Sequence, residues 1–129
     1  MSASLTRAFS ALAVALATLG TSVAVQAATS PGDVEAGKQI AFSRKDGNCV
    51  ACHVLPGAKM AGNVGPPLGP WVKQAFQSKD EMVKYLYDPQ ARFPHTVMPP
   101  FGRNKMLTEK QLQQVTDYLW SLTEKGERK

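Results

Sequence analysis

The stretch CVACH, residues 49–53, holds both cysteines of the chain and one of its two histidines. Two thiols separated by two residues, with an imidazole directly after the second, are compatible with four kinds of chemistry. They can form a disulfide, bind zinc, act as a thiol redox pair, or attach a c-type haem through two thioether bonds, with the histidine as an iron ligand.

The spacing favours the haem. A disulfide across two intervening residues closes a very small loop and gains little chain entropy. A zinc site needs four ligands, and His95, the remaining histidine, leaves the set one short. A thioredoxin-like pair belongs to a βαβ pattern, which the sequence lacks. We therefore expect one haem c, covalently bound through Cys49 and Cys52, with His53 as the proximal ligand of its iron.

The ring of a metal-bound histidine is usually fixed by a hydrogen bond from its second nitrogen. In the run GNVGPPLGP, the carbonyl of Pro66 is the candidate acceptor for His53, because a proline-stiffened loop can hold that oxygen still. The alternative is that these prolines only shape a turn.

The second axial ligand is predicted to be Met98. It stands 45 residues after His53, and Pro99 confines its backbone to extended conformations. A thioether on such a rigid segment suits a fixed iron ligand. The alternative is that Met98 is an ordinary buried loop methionine. The competing ligands are His95, Met60, Met82 and Met106.

An iron bound on both faces has no open position, so it exchanges electrons and does not activate small molecules. A methionine ligand also raises its reduction potential relative to a second histidine. The aromatic residues in and near the loops are expected to pack against the haem and not to form an electron path. They are Trp71, Phe76, Phe93 and Phe101.

Residues 1–27 have the pattern of a secretory signal peptide. A single basic residue, Arg7, precedes an apolar run too short to span a membrane, and Val25 and Ala27 suit cleavage after Ala27. This predicts one domain of 102 residues, 28–129, exported to an oxidising compartment such as the bacterial periplasm and without a membrane anchor.

The net charge is +5, and it falls to +4 without the leader. The basic residues are scattered, so they suit docking against an acidic protein face. Nucleic-acid binding is excluded, because it normally needs a stripe of lysine and arginine with a recognition motif.

Three helices position these residues. The first, about residues 31–44, begins at the N-cap Ser30. It contains Gly37, and a glycine inside a helix lowers helix stability by about 1 kcal/mol relative to alanine. Close contact with another helix at this position would explain the glycine. The second and third, 79–87 and 109–124, open with capping boxes. The apolar face of the third should lie on the first. Long Gly- and Pro-rich loops separate the helices, which indicates an all-α domain that encloses something.

The runs GDVEAGKQIAFS, CVACH, GPPL, the methionine loop and VTDYLWSL resemble class I cytochromes c across nearly the whole mature chain. The resemblance implies the class I fold, with three main helices and long loops around one haem. It implies that Gly37 lets the terminal helices cross and that Tyr118 packs at the crossing. It also implies that Pro66 accepts the hydrogen bond of the proximal histidine and that Leu68 touches the haem.

A narrower set of runs, CVACHVLPGA, GNVGPPLG, TVMPPFGRN and LTEKQLQQVTDYLWSL, resembles the SoxX family, the mono-haem subunits of SoxAX complexes in sulfur-oxidising bacteria. The resemblance implies a heterodimer with a SoxA-like catalytic cytochrome. That complex is an L-cysteine S-thiosulfotransferase, which couples thiosulfate oxidatively to a cysteine of the SoxYZ carrier. A soluble cytochrome c would accept the electrons.

No catalytic residue is expected in this chain, because the haem uses both of its thiols. Two alternatives stay open at this stage. One is a freely diffusing class I cytochrome c that serves a terminal oxidase or a photosynthetic centre. The other is a haem sensor with a labile sixth ligand.

Overall fold

Four α-helices and two 3-10 turns form the regular structure of residues 30–124, the part of the chain that the computed structural model describes. The helices are α1 (Pro31–Phe42), α2 (Val72–Ala75), α3 (Lys79–Tyr87) and α4 (Glu109–Glu124), and the 3-10 turns are Cys49–Ala51 and Pro89–Ala91. Within this range no β-strand occurs, so the prediction of an all-α fold is confirmed. The predicted leader and its cleavage after Ala27 lie outside the described residues.

Side-chain caps begin the three longer helices. The capping contacts are Asp33 N to Ser30 Oγ at 3.2 Å, Glu81 N to Ser78 Oγ at 3.2 Å, Gln111 N to Thr108 Oγ1 at 3.3 Å and Thr108 N to Gln111 Oε1 at 2.9 Å. The predicted bounds of α3 and α4 are confirmed. Helix α1 ends at Phe42 and not at Arg44, because the backbone at Ser43 turns to an extended conformation.

Helices α1 and α4 cross at Gly37. A Cβ atom on this residue would lie 1.8 Å from the carbonyl oxygen of Gln114 and 3.0 Å from Cβ of Tyr118. The ring of Tyr118 meets Phe42 edge-on, with 6.5 Å between ring centroids. The side-chain amide of Gln114 also donates to Asp33 at 3.1 Å and lowers the pKa of that carboxyl. The predicted close approach of a second helix to Gly37 is therefore confirmed.

The apolar faces of the helices meet in one core. The apolar face predicted for α4 is buried throughout. Helix α3 buries Met82 and Leu86 in the same core, whereas its Tyr85 is half-buried. The short helix α2, which the sequence did not predict, buries Val72 in this core. A salt bridge of 2.7 Å between Lys79 and Asp117 joins α3 to α4. The buried residues of α4 are Leu112, Val115, Thr116, Tyr118, Leu119, Leu122 and Thr123.

Among residues 30–124, none of the helices combines the length and the apolar character that crossing a lipid bilayer requires.

Candidate functional site

The CVACH stretch folds as one tight turn that gathers its three chemical groups. Asn48, in the left-handed conformation at φ 45°, directs the chain into the 3-10 turn Cys49–Ala51. The backbone N–H groups of Cys52 and His53 then donate to the carbonyl of Cys49 at 3.2 and 2.9 Å. Cys49 and Cys52 are not joined in a disulfide, and the side chains of Cys49, Cys52 and His53 line the same cavity.

A strap formed by residues 62–68 crosses this turn and is tied to it by three backbone hydrogen bonds. At Gly62 the approach is so close that a Cβ atom would lie 1.9 Å from the carbonyl oxygen of Ala51. The strap therefore fixes the proximal side of the cavity through the backbone. The bonds are Gly62 N to Val50 O at 2.9 Å, Gly65 N to Cys52 O at 2.9 Å and Leu68 N to Val54 O at 2.8 Å.

The strap also orients the imidazole of His53. Nδ1 of this ring lies 2.7 Å from the carbonyl oxygen of Pro66, and because a carbonyl only accepts, Nδ1 carries the proton and donates. In this tautomer Nε2 keeps a free lone pair, the form in which histidine binds a metal. The hydrogen bond expected from the sequence is thus present, and the assignment of His53 as the proximal ligand stays a prediction.

The cavity measures about 710 Å³ and is lined mainly by apolar side chains. Ligand pockets in proteins range from about 300 to 1,000 Å³, so this one can hold a large, flat organic group. All four aromatic residues expected to pack against a haem line it, as does Leu68. The apolar and aromatic wall residues include Leu68, Trp71, Val72, Phe76, Met82, Leu86, Phe93, Phe101 and Leu119.

Charged side chains occupy part of the wall. Arg44, Lys45 and Asp46 lie there, close in sequence to Cys49. Arg92 lies on the wall as well, with its guanidinium carbon 5.5 Å from the centroids of two aromatic rings, Phe76 and Phe93. A haem carries two carboxylate side chains, and three cations beside the single carboxylate Asp46 suit that charge.

Met98 lies half-buried on the wall of the same cavity as His53. Its backbone N–H donates to Oγ1 of Thr96 at 3.2 Å, and Pro99 and Pro100 follow it. The structure therefore places the predicted second ligand on the cavity wall, in a segment that its own loop restrains.

The competing ligands differ in position. His95 is exposed and Met60 is 80% exposed, and neither lines the cavity. Met82 lines it from the core face of α3, where it is buried. Met106 lines it too and is 47% exposed. Met98 stays the prediction, and Met106 is its natural comparison because both lie in the loop between the turn Pro89–Ala91 and α4.

The geometry disfavours the other uses of the two thiols. Burial raises the pKa of Cys49 to about 11, with a smaller contribution from Cys52, whereas redox-active thiols have lowered pKa values. Residues 30–124 contain no cluster of three or more histidine, cysteine, aspartate or glutamate residues that could hold a metal ion, and no strand that a thioredoxin-like site would need.

Two cysteines that form no disulfide, an imidazole with one nitrogen available, an apolar cavity and nearby cations together fit a covalently bound haem. The family model described as Cytochrome c matches residues 34–123. The chain belongs to the cytochrome c family. This cytochrome is also 32% identical over 76 residues to a protein of Aquifex aeolicus (strain VF5) described as an uncharacterized lipoprotein. That match covers 58% of the cytochrome and 36% of the relative, so the chain spans little more than a third of the relative's length.

Family membership establishes the cofactor, the fold and the general role. The cofactor is haem c with its iron, attached covalently, and Cys49 and Cys52 are the thiols of the CxxCH pattern. The all-α structure is the class I cytochrome c fold, as expected. The general role is electron transfer, in a protein of the periplasm or of the cell exterior.

Two residues of the site escaped the analysis of the sequence. A Cβ atom on Gly65 would lie 2.3, 2.6 and 2.7 Å from three ring atoms of His53, so only glycine fits beside this imidazole. Arg92 stacks on aromatic rings at the wall, and its Nη1 also donates to Glu81 at 3.0 Å. The GPP run around Gly65 hinted at the first residue, and no local signal marked the second.

Proposed function

We propose that this cytochrome is the SoxX-like electron-transfer subunit of a periplasmic SoxAX complex, an L-cysteine S-thiosulfotransferase. The observation that carries the proposal is the position of the run TVMPPFG, residues 96–102. It is the most discriminating part of the resemblance to SoxX, and Thr96, Met98 and Phe101 from this run all line the haem cavity. The distinctive sequence therefore lies where it can act on the cofactor.

The cysteine content supports a division of labour between two subunits. The chain has two cysteines, and both belong to the CxxCH pattern. No thiol remains here to carry a persulfide or to form a bond with thiosulfate. The proposal therefore assigns the sulfur chemistry to a SoxA-like partner and assigns this chain no catalytic residue.

The electron count defines what this subunit must do. Joining a carrier thiol to thiosulfate forms one S–S bond and releases one proton and two electrons. The haem, when bound, would supply a redox centre that holds one of these electrons at a time. The subunit must therefore pass the first electron to a soluble cytochrome c before it accepts the second.

The residues of the chain prepare the site for this task. In the proposal, His53 would hold the haem iron through Nε2, with Pro66 holding the ring by its Nδ1 proton, and Met98 would hold the iron through its thioether sulfur. The apolar wall that includes Leu68 keeps water away from the iron. With His53 and Met98 both engaged in this way, the bound haem would exclude small molecules from its iron and would supply outer-sphere electron transfer.

The axial ligand can be tested on the oxidised haem protein. Methionine bound to ferric haem gives a sulfur-to-iron charge-transfer band in the far red. We expect this band in the wild type and its loss in Met98→Ala. The matched control is Met106→Ala, on the same cavity wall, which should keep the band. A band that survives Met98→Ala and vanishes in Met106→Ala would assign the ligand to Met106.

The assignment to a SoxAX complex needs a separate test. The proposal predicts copurification with a larger haem cytochrome, and reduction of this haem by thiosulfate only when that partner and a SoxYZ-like carrier are present. Absence of a stable partner, with unimpaired reduction by a general electron donor, would instead support a freely diffusing carrier for a terminal oxidase or photosynthetic centre. Rapid binding of carbon monoxide by the reduced protein would support a haem sensor.

A further inference from the structure

The segment that precedes Met98 in its loop is held by local contacts. We define the methionine loop as residues 93–107, between the turn Pro89–Ala91 and α4. Before the methionine, Thr96 N donates to Phe93 O at 3.0 Å and Met98 N donates to Thr96 Oγ1 at 3.2 Å. Both bonds stay within the loop, so neither ties Met98 to a helix.

The segment that follows Met98 is anchored more firmly. Phe101 and Leu107 are buried in the core, and the N–H groups of Met106 and Leu107 both donate to the carbonyl of Phe101, at 2.8 and 3.0 Å. These contacts close residues 101–107 into a compact turn. The position of Met98 therefore depends on where this turn is attached.

The turn is attached to the last residues of α3. The N–H groups of Gly102 and Arg103 donate to the carbonyl of Tyr87 at 3.2 and 3.1 Å. This carbonyl belongs to the last turn of the helix, whose acceptors have no partner within the helix itself. A Cβ atom on Gly102 would lie 2.0 Å from the ring of Tyr87, so the contact is close.

A charge pair fixes the same attachment. Nη1 of Arg103 donates to Oδ2 of Asp88 at 2.8 Å, and Nη2 donates to the side chain of Gln90. The second oxygen of Asp88 accepts from the backbone N–H of Gln90 at 3.2 Å, so the carboxylate is itself held in place. The Arg103 side chain is 48% exposed and the Asp88 side chain 20%, so the defined geometry of the pair comes from the hydrogen bonds to both oxygens of the Asp88 carboxylate.

We infer that Arg103 is a positioning residue, whose salt bridge with Asp88 holds the methionine loop on the end of α3 and thereby keeps Met98 at the iron. The inference rests on the proposed role of Met98 as the second axial ligand. Neither Arg103 nor Asp88 lines the cavity, so the pair acts through the loop and not by contact with the haem.

The test is a titration of the oxidised haem protein with imidazole, which competes with Met98 for the iron. The fraction displaced is read from loss of the far-red charge-transfer band. Loosening the attachment should make opening of the loop easier, so Arg103→Gln should bind imidazole about threefold to tenfold more tightly than the wild type. Arg103→Lys, which keeps the charge and loses the two-pronged geometry, should give an intermediate affinity.

A matched control separates positioning from general stability. Lys79→Gln breaks the salt bridge to Asp117, which also involves α3 and has a 2.7 Å contact. It should change imidazole affinity by less than about twofold even if it lowers the unfolding temperature. Asp88→Asn should raise the imidazole affinity by about as much as Arg103→Gln. The double variant should bind imidazole little more tightly than either single variant, because the two substitutions remove the same interaction.

Equal effects of Arg103→Gln and Lys79→Gln on imidazole affinity would overturn the positioning role and leave Met98 as the ligand. Retention of the band in Met98→Ala would remove the ligand assignment and the positioning role together. The two failures are therefore distinguishable.

Discussion

The imidazole of His53 lies between a hydrogen-bond acceptor and a residue without a side chain. Gly65→Ala would place a methyl group 2.3 to 2.7 Å from three ring atoms, so the ring must move away from Pro66 O. We expect the free energy of unfolding to fall by about 2 kcal/mol, as for other overpacked sites, with an altered haem spectrum. Urea unfolding followed by absorbance measures both.

The control for this variant is Gly69→Ala, in the same proline-rich region. No atom lies within 4 Å of the position that its Cβ would occupy, so its stability and spectrum should stay close to those of the wild type. Similar behaviour of the two alanine variants would show that His53 is not held by the fit of Gly65.

The hydroxyl of Tyr118 is buried and has no hydrogen-bond partner among residues 30–124. Tyr118→Phe should therefore stabilise the protein slightly, by about 1 kcal/mol or less, because an unsatisfied hydroxyl is costly to bury. Thermal unfolding near neutral pH measures this change. Tyr87→Phe, at an exposed ring, is the control and should have little effect.

The same residue predicts a dependence on pH. Burial raises the pKa of Tyr118 above 10, and the Glu35 carboxylate makes a smaller contribution in the same direction. Above pH 10 the unfolded chain loses this proton more readily than the folded one, so the contribution of Tyr118 to stability is complete below pH 10 and is lost as pH rises. Stability measured between pH 9 and 11 should therefore fall less in Tyr118→Phe than in the wild type, and parallel curves would contradict this account.

Single residues were predictable where chemistry fixes their role. Cys49, Cys52 and His53 followed from spacing, and the Pro66 carbonyl from the need of a metal-bound imidazole for an acceptor. Gly65 was not predictable, because a glycine that fits against a ring has the same local sequence as a glycine that shapes a turn. The distances to the ring, which depend on how the strap folds back, distinguish the two.

The crossing of α1 and α4 gives a prediction at the level of elements. Replacing a helical glycine by alanine normally stabilises a helix by about 1 kcal/mol. In Gly37→Ala the new methyl group would meet the backbone of Gln114 at 1.8 Å, so separation of the helices should outweigh that gain. We expect a net loss of about 2 kcal/mol or more in urea unfolding.

The exposed neighbour Gln39 supplies the control for the crossing. Gln39→Ala changes a solvent-facing position of the same helix and should leave stability nearly unchanged. If Gly37→Ala were as stable as this control, the two helices could separate without cost and the tight crossing would not be required.

Helix bounds were predictable where side chains cap the helix. Helices α3 and α4 follow their capping boxes, and α1 was placed two residues too long because Ser43 carries no local stop signal. Helix α2 was missed because Trp71, its N-cap, makes no side-chain capping bond. In the structure this short helix is recognised by Val72, which is buried in the core. In the sequence, four residues are too few to show a helical pattern of apolar positions.

The whole molecule is built around its cofactor. Without the haem, the apolar side chains that line a cavity of about 710 Å³ would face water. The loss of this buried apolar contact is large for a domain whose total stability is only about 5 to 15 kcal/mol. The variant Cys49→Ala/Cys52→Ala, which cannot attach haem, should therefore lack fixed packing.

The measurement for this variant is circular dichroism in the far and near ultraviolet. Helical signal should remain at least in part, while the near-ultraviolet signal from ordered aromatic side chains should be lost. A native near-ultraviolet spectrum with a sharp thermal transition, in material shown to be free of haem, would contradict the cavity argument.

At this scale the sequence predicted the need for a cofactor and not the shape of its site. Long loops without regular structure indicated that something had to fill the centre. How the strap, α2 and the methionine loop share the wall depends on contacts between distant segments, which no local pattern reports.

The three backbone bonds of the strap make the two faces of the iron site unequal. Side-chain substitutions leave these bonds in place, whereas the turn that follows Met98 is held on α3 by two backbone bonds together with a replaceable arginine. Redesign of this scaffold into a gas-binding or peroxide-consuming protein should therefore start at the turn, since its side-chain attachment can be removed by a few codon changes while the strap keeps its backbone bonds.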